Sequence, residues 1–353
     1  MKRSYQLFGL ILSMQMFVFV SASFAAGETQ RLKIIYSSFT GGYTPLWIAV
    51  DERLGRKYGL DLEAVYAGRA RPHQLLLSGD AQYVISTGTG VVSSYAVGQK
   101  DLVIIATFLN VTGSSLFSKP QINKPADLRG KVVGSGRPGA ITDVMLHYIL
   151  KNKLNLDPAR DVKIVPLGDG PSILPALEKG VVDAAVLTTP TRLLAKRMGF
   201  REMLDFDEMG IPYPYVGVST LKVNVKKNPE ITARLVRTLM EAIQIFKTNK
   251  ETSMAVMRKY LRGANDDILA ETYSYFSAKM QKSPYPTADA VMTALDMMSV
   301  QFPQAKAVDD NEIIDTSFVK QSESGFHGRK SQFFSSSMTH ENYTLAPTKI
   351  VRT

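Results

Sequence analysis

Residues 31–59 restrict the fold more than any other stretch, because they spell a strand, a polar loop and a helix in that order. Leu32, Ile34, Ile35 and Tyr36 give the β-branched and apolar run of a buried strand, which stops at Ser37, Ser38, Phe39, Thr40, Gly41, Gly42 and Tyr43. Thr44 follows as N-cap and Pro45 as first helical residue, while Leu46, Ile48, Ala49 and Leu54 form an apolar stripe that ends at Lys57, Tyr58 and Gly59. In an open α/β sheet this order places the loop at the carboxyl edge of the strands, where unpaired N–H groups of the helix face a crevice. The loop is a candidate binding segment, with an ordinary strand-to-helix connection as the plain alternative.

The same grammar returns along the chain. Residues 82–85 form a strand, 86–90 a loop with Thr87, Gly88 and Thr89, and 91–97 a helix closed by Gly98. Residues 102–106 are a continuous apolar run of the kind buried on both faces of a mostly parallel sheet. From Leu116 the character changes, and a fresh strand at 131–133 leads to a loop containing Ser135 and Arg137 and to a helix over 140–150. A strand at 162–165, a helix over 170–180 and a strand at 184–187 follow, the last ending in Thr188, Thr189 and Pro190 as another cap-and-proline start. Prolines and aromatics at 211–217, among them Tyr213 and Tyr215, mark a crossing back, and four helices are expected beyond Asn228. The fold class is α/β with two lobes: lobe one from 31–117 and 218–326, lobe two from 118–217. Rotation near 116–118 and 212–217 is expected to close them. Residues 327–353 lack an apolar period and are expected to form a disordered tail.

At the start, Lys2 and Arg3 precede an apolar run over 7–20 and then small residues, with Ser23 and Ala25 fitting cleavage after Ala25. Residues 1–25 are therefore expected to be a cleavable signal peptide, which directs the chain to the periplasm. The run is too short for a spanning helix, and Ser13 and Gln15 interrupt it. The chain has no cysteine, which excludes a disulfide framework, a thiolate metal site and a thiol nucleophile. Of the net charge of +10, the first 25 residues hold +2 and residues 327–353 hold +3. The remaining +5 forms no basic stripe with interleaved aromatics, so no nucleic acid is expected as partner.

An enzyme needs convergent reactive groups, and few are present. His73, His147, His327 and His340 show no i, i+4 pairing, and His147 falls on an apolar helix where a packed role is the simpler one. Asp309 and Asp310 suit a solvated turn. The glycine-rich run 134–139 has Pro138 in its variable stretch and no acidic residue ending the next strand, so it is a poor dinucleotide loop. Neither catalysis, nor a metal, nor a cofactor is expected. The loops instead offer hydroxyls, glycines and helix starts, which bind rather than transform. Candidate ligand-binding residues are Ser38, Thr40, Gly41, Gly42, Tyr43, Thr87, Gly88, Thr89, Ser135, Arg137, Thr188, Thr189 and Tyr213. None of these loops contains Asp or Glu, and Arg137 adds a fork that can pair two oxygens, so the expected ligand is a small organic anion, with the loop aromatics available to a flat body. Arg137 could equally point to solvent or cap its own loop, and Trp47 could be core rather than cleft.

Residues 45–63 (PLWIAVDERLGRKYGLDLE) resemble the opening of the periplasmic substrate-binding proteins of ABC importers, in the branch that includes nitrate, sulfonate, taurine and thiamine-pyrimidine-precursor binders. Residues 76–80 (LLSGD), 127–131 (DLRGK), 177–185 (LEKGVVDAA), 246–250 (FKTNK), 284–287 (PYPT) and 318–326 (FVKQSESGF) are similar to that family as well. The resemblance spans about residues 32–326 and implies the type II periplasmic binding protein fold: two lobes, each a mixed sheet flanked by helices, with a helical C-terminal section. It also implies capture of a small-molecule ligand by a monomer and delivery to a membrane permease. The tail beyond Phe326 departs from the family pattern. A thiamine pyrimidine precursor is the alternative ligand. The related fungal pyrimidine-synthesising enzyme relies on a cysteine-rich motif that a chain without cysteine cannot supply.

Overall fold

The computed structural model describes residues 29–67, 71–168, 170–261 and 264–324, so the expected signal peptide and tail lie outside the described residues. Among the described residues, ten strands form two five-stranded sheets. The first contains β1 (Gln30–Tyr36), β2 (Leu60–Tyr66), β3 (Tyr83–Ser86), β4 (Leu102–Leu109) and β10 (Val216–Leu221), in the order β2-β1-β3-β10-β4. The second contains β5 (Ser114–Ser118), β6 (Val132–Ser135), β7 (Lys163–Pro166), β8 (Ala184–Thr188) and β9 (Arg201–Asp205), in the order β7-β6-β8-β5-β9.

The two sheets follow one plan. Each has a parallel trio, β2-β1-β3 or β7-β6-β8, and then one strand antiparallel to both its neighbours, β10 or β5. Each antiparallel strand arrives directly from the other sheet, so the chain crosses between them twice. β5 belongs wholly to the second sheet, which moves the first crossing to residues 110–113, ahead of the boundary at 117 and the hinge at 116–118 expected from the sequence. The reason is register: Leu116 and Phe117 look like the end of an apolar strand, but they pair with Val186 and Ala185 of β8.

The helices are α1 (Thr44–Asp51), α2 (Pro72–Leu77), α3 (Thr89–Ala96), α4 (Ile141–Asn152), α5 (Gly170–Glu178) and α6 (Thr191–Arg197), followed by α7 (Lys222–Lys227), α8 (Pro229–Thr248), α9 (Lys250–Tyr260), α10 (Asp266–Lys279) and α11 (Ala288–Met298). The last four match the expected helical section. α8 buries Leu235, Leu239, Ala242 and Phe246, the stripe its spacing predicts. β4 is buried over all eight residues, as a strand covered on both faces must be. Two local expectations change. Thr44 does not cap α1: it is the first helical residue, and its hydroxyl donates to Gly41 O at 2.7 Å. α1 also stops at Asp51 rather than near Gly59, because Arg53 takes a left-handed conformation (φ 52°) and a 3-10 turn covers Leu54–Tyr58.

Candidate functional site

The carboxyl ends of β1, β3, β6 and β8 and the two crossings converge on one region. The crossings run side by side there, with Tyr213 N donating to Asn110 O at 3.0 Å and Tyr215 N to Leu109 O at 2.9 Å. They also strap one loop from each sheet: Gly88 N donates to Pro214 O at 2.7 Å, and Thr189 N to Gly113 O at 3.0 Å. An α/β sheet presents ligands with helix starts and loop groups at this edge, so this is the candidate cleft.

On the side of the first sheet, hydroxyls form two short chains. Tyr43 OH and Ser37 Oγ are 2.8 Å apart, and Ser86 Oγ donates to Ser37 at 2.9 Å. Thr87 and Thr89 hydroxyls are 3.0 Å apart, and Thr89 is 2.8 Å from Tyr213 OH. Burial raises the Tyr43 and Tyr213 phenols above the usual range, so both stay protonated donors. Ser38 is half-buried beside them. Gly41 and Gly42 serve close packing: a Cβ on Gly41 would lie 2.4 Å from Phe276, and one on Gly42 2.9 Å from Leu109. Trp47 is fully buried and stacks on Tyr260, so it is a core residue. Phe39 and Tyr66 remain half-buried, with ring centroids 4.5 Å apart.

Beside the 86–90 loop, the ring of His73 packs closely on Gly90 in the first turn of α3: a Cβ on Gly90 would fall 1.9 Å from His73 Nδ1. Gly90→Ala should therefore lower stability by about 1–3 kcal/mol through overpacking, seen as a lower melting temperature.

The second sheet departs from the expected picture. No acidic residue lies within its loop, but Asp143 from the first turn of α4 turns back into it, buried, accepting from Ser135 Oγ at 3.2 Å and from Gly139 N at 3.0 Å. Gly136 N donates to Thr142 Oγ1 at 3.0 Å. The helix start thus carries its own carboxylate, a common solution for unpaired N–H groups. Arg137 is half-buried at the cleft end of β6. Pro190 precedes α6 as its N-cap instead of opening it, and the Thr189–Pro190 peptide is cis.

At the centre stands Tyr215, which the sequence marked only as crossing material. Its phenol is buried, which pushes it up to about 12, and the hydroxyls of Thr40 from the first sheet and Thr188 from the second approach it. The Thr40 approach is too loose to satisfy that hydroxyl: among the described residues, Thr40 Oγ1 has no partner of hydrogen-bonding geometry. Thr112 Oγ1 and Asn110 Oδ1 in the first crossing and Thr272 Oγ1 on α10 are unpaired too. The remaining centre is a charged cluster. Arg192 Nη1 donates to Ser115 Oγ at 3.0 Å and to Asp205 Oδ2 at 3.2 Å, and Nη2 lies 3.9 Å from Asp207.

Of the expected residues, Thr40 and Thr188 come together at Tyr215, and Thr87, Gly88, Thr89 and Tyr213 at the second crossing. Sequence reasoning missed Asn110, Thr112, Asp143, Arg192, Asp207, Tyr215 and Tyr275. Only Tyr215, in the Pro-Tyr-Pro-Tyr run 212–215, carried a usable local signal. Among the described residues, no group of three or more His, Asp or Glu could hold a metal ion, and no helix is long and apolar enough to cross a membrane.

The family model described as NMT1/THI5 like matches residues 43–253, more than half of the chain. The chain belongs to the NMT1/THI5-like family. Among relatives, a protein of Brachyspira hyodysenteriae named as a candidate ABC transporter periplasmic binding protein is 22% identical over 289 residues, 76% of this chain and 80% of the relative. The periplasmic aliphatic sulphonate binding protein SsuA of Escherichia coli superposes with a TM-score of 0.67 at 18% identity, over 81% of this chain and 92% of SsuA. The periplasmic nitrate-binding protein NrtA of Synechocystis PCC 6803 gives 0.68 at 16% identity, over 86% and 91%. These likenesses assign the periplasmic binding protein fold to this NMT1/THI5-like chain. The fold also carries an enzyme, the desulfurization enzyme DszB, at a TM-score of 0.59 and 15% identity over 84% of this chain and 99% of DszB.

Proposed function

We propose that this NMT1/THI5-like protein is the extracytoplasmic solute-binding component of an ABC import system, a monomer that captures a small organic anion between two lobes and hands it to a membrane permease. Export would rest on residues 1–25. The observation that carries binding is the set of buried hydroxyls unpaired among the described residues, Thr40 in the loop after β1 and Thr112 in the first crossing above all. Buried polar atoms nearly always find a partner, and a ligand's polar atoms supply one here. The lobes are the two sheets with their helices, and the crossings at 110–113 and 206–215 are their hinge. Binding rather than catalysis is supported by the site's content: hydroxyls, one arginine at the edge and a cluster in which Arg192 faces Asp205 and Asp207, while the one carboxylate beside a serine here, Asp143 at Ser135, is engaged by Gly139 N in its own helix start.

The anionic character of the ligand rests on Arg137, at the cleft end of β6, and on the names of SsuA and NrtA, which bind a sulphonate and nitrate. A thermal-shift screen of sulfonates, nitrate, carboxylates and neutral pyrimidines tests this reading. A binder at 100 times its dissociation constant should stabilise by about 2.7 kcal/mol. Arg137→Ala should weaken an anionic hit by about 1.5–3 kcal/mol, measured by titration calorimetry. A screen in which neutral pyrimidines alone raise the melting temperature would rule the anion out.

A further inference from the structure

α6 of the second sheet and α10 beside the first face each other across the cleft, and their contact is built rather than incidental. Tyr275 on α10 donates its hydroxyl to Asp207 Oδ2, and Asp207 Oδ1 accepts Gly113 N at 3.0 Å. The Arg192 guanidinium from α6 lies over the Tyr275 ring at 4.9 Å, and one turn further on Arg197 pairs with Glu271 of α10. The side chains of Arg192 and Asp207 are only 10% and 6% exposed, so the cluster works in a poorly solvated setting where charge-assisted bonds are strong. Gly113 leaves room for it: a Cβ there would come 3.1 Å from the Tyr275 hydroxyl, at a backbone φ of 59°. Tyr275 thereby touches the first crossing, the start of the second and α6 at once, while rooted in the helices that cover the first sheet.

We propose that Arg192, Asp207 and Tyr275 form a latch that holds the two lobes closed without any solute, so that this cluster sets the balance between open and closed forms. The latch draws on residues that satisfy one another, which separates it from the unpaired hydroxyls of Thr40 and Thr112 that await a ligand. A solute then has less closing to drive, because part of the closed population exists beforehand. The latch rests on the hinged closure proposed above and not on the charge of the solute.

The chain has no cysteine, so spin labels can be placed cleanly at Lys179→Cys and Lys227→Cys, exposed positions on the α5 and α7 sides of the two lobes. Pulsed electron paramagnetic resonance on the solute-free protein should give one dominant distance. Tyr275→Phe removes a single hydroxyl and should raise the open-to-closed ratio about tenfold or more, adding a second distance. Glu271→Gln, at a side chain 49% exposed, should act in the same direction without endangering the fold, and the two together should act more strongly. Circular dichroism confirms that each variant is folded. If the double variant keeps the wild-type distribution, or the wild type already shows the longer distance as its main one, the latch is overturned. Neither result depends on the solute screen, whose failure would instead remove the anion reading.

Discussion

Trp47→Ala should lower the free energy of unfolding by about 3–5 kcal/mol, measured as an earlier midpoint in urea followed by circular dichroism. The indole is fully buried in α1, parallel to the Tyr260 ring at 4.7 Å and 3°, with Tyr43 stacked at 6.4 Å and Tyr36 meeting it edge-on at 6.0 Å. Alanine would leave a large void walled by three rings anchored on different elements, β1, α9 and the loop before α1, which cannot all collapse into it. Trp47→Phe is the control. It keeps an aromatic face for Tyr260 and deletes an indole N–H that, among the described residues, makes no hydrogen bond of good geometry, so its cost should be clearly the smaller. Equal losses for the two would mean that the stack contributes little and that the site tolerates a void.

The second large effect is a pH dependence centred on His73. Burial of the ring, with Nε2 unpaired, pushes its pKa down to about 4 from an ordinary 6.5. The unfolded chain therefore takes up a proton that the folded chain refuses. Stability from the neutral ring is complete above pH 6.5 and is lost as pH falls towards 4, by up to about 3 kcal/mol. Acidic groups titrate in the same window, so the comparison is between the wild type and His73→Leu, which has no proton to gain. Unfolding free energies measured from pH 7 to pH 4 should fall more steeply for the wild type, and parallel curves would show that His73 is not buried as a neutral ring. The ring lies beside the 86–90 loop, so acid should loosen that loop first.

The candidate site was half legible. Loops after strands can be found from the sequence because small hydroxyl residues, glycines and prolines interrupt apolar runs, and Thr40, Thr87, Thr89, Thr188 and Tyr213 came from that pattern. The charged groups around the second sheet's loop were less legible. Asp143 sits outside its loop in sequence, yet the first turn of α4 swings it back onto Ser135 and Gly139. Arg192 and Tyr275 lie on helices where any amphipathic pattern would accept them, and nothing local distinguishes a helix surface from a helix face pressed across a cleft.

What the sequence determined by itself is what depends on neighbours along the chain: the α/β alternation, the buried strand β4, the apolar stripe of α8 and the loops that end strands. These follow from side-chain periods of two and of 3.6 and from backbone restrictions at proline and glycine, all local. Only the tertiary structure decided which sheet β5 joins, where the first crossing runs, and that Thr40, Thr188 and Tyr215 meet while Arg192 finds Asp207 and Tyr275. Those outcomes depend on pairings between residues tens of positions apart or more, where one strand's apolar pattern fits several partners and burial in the assembled core selects among them.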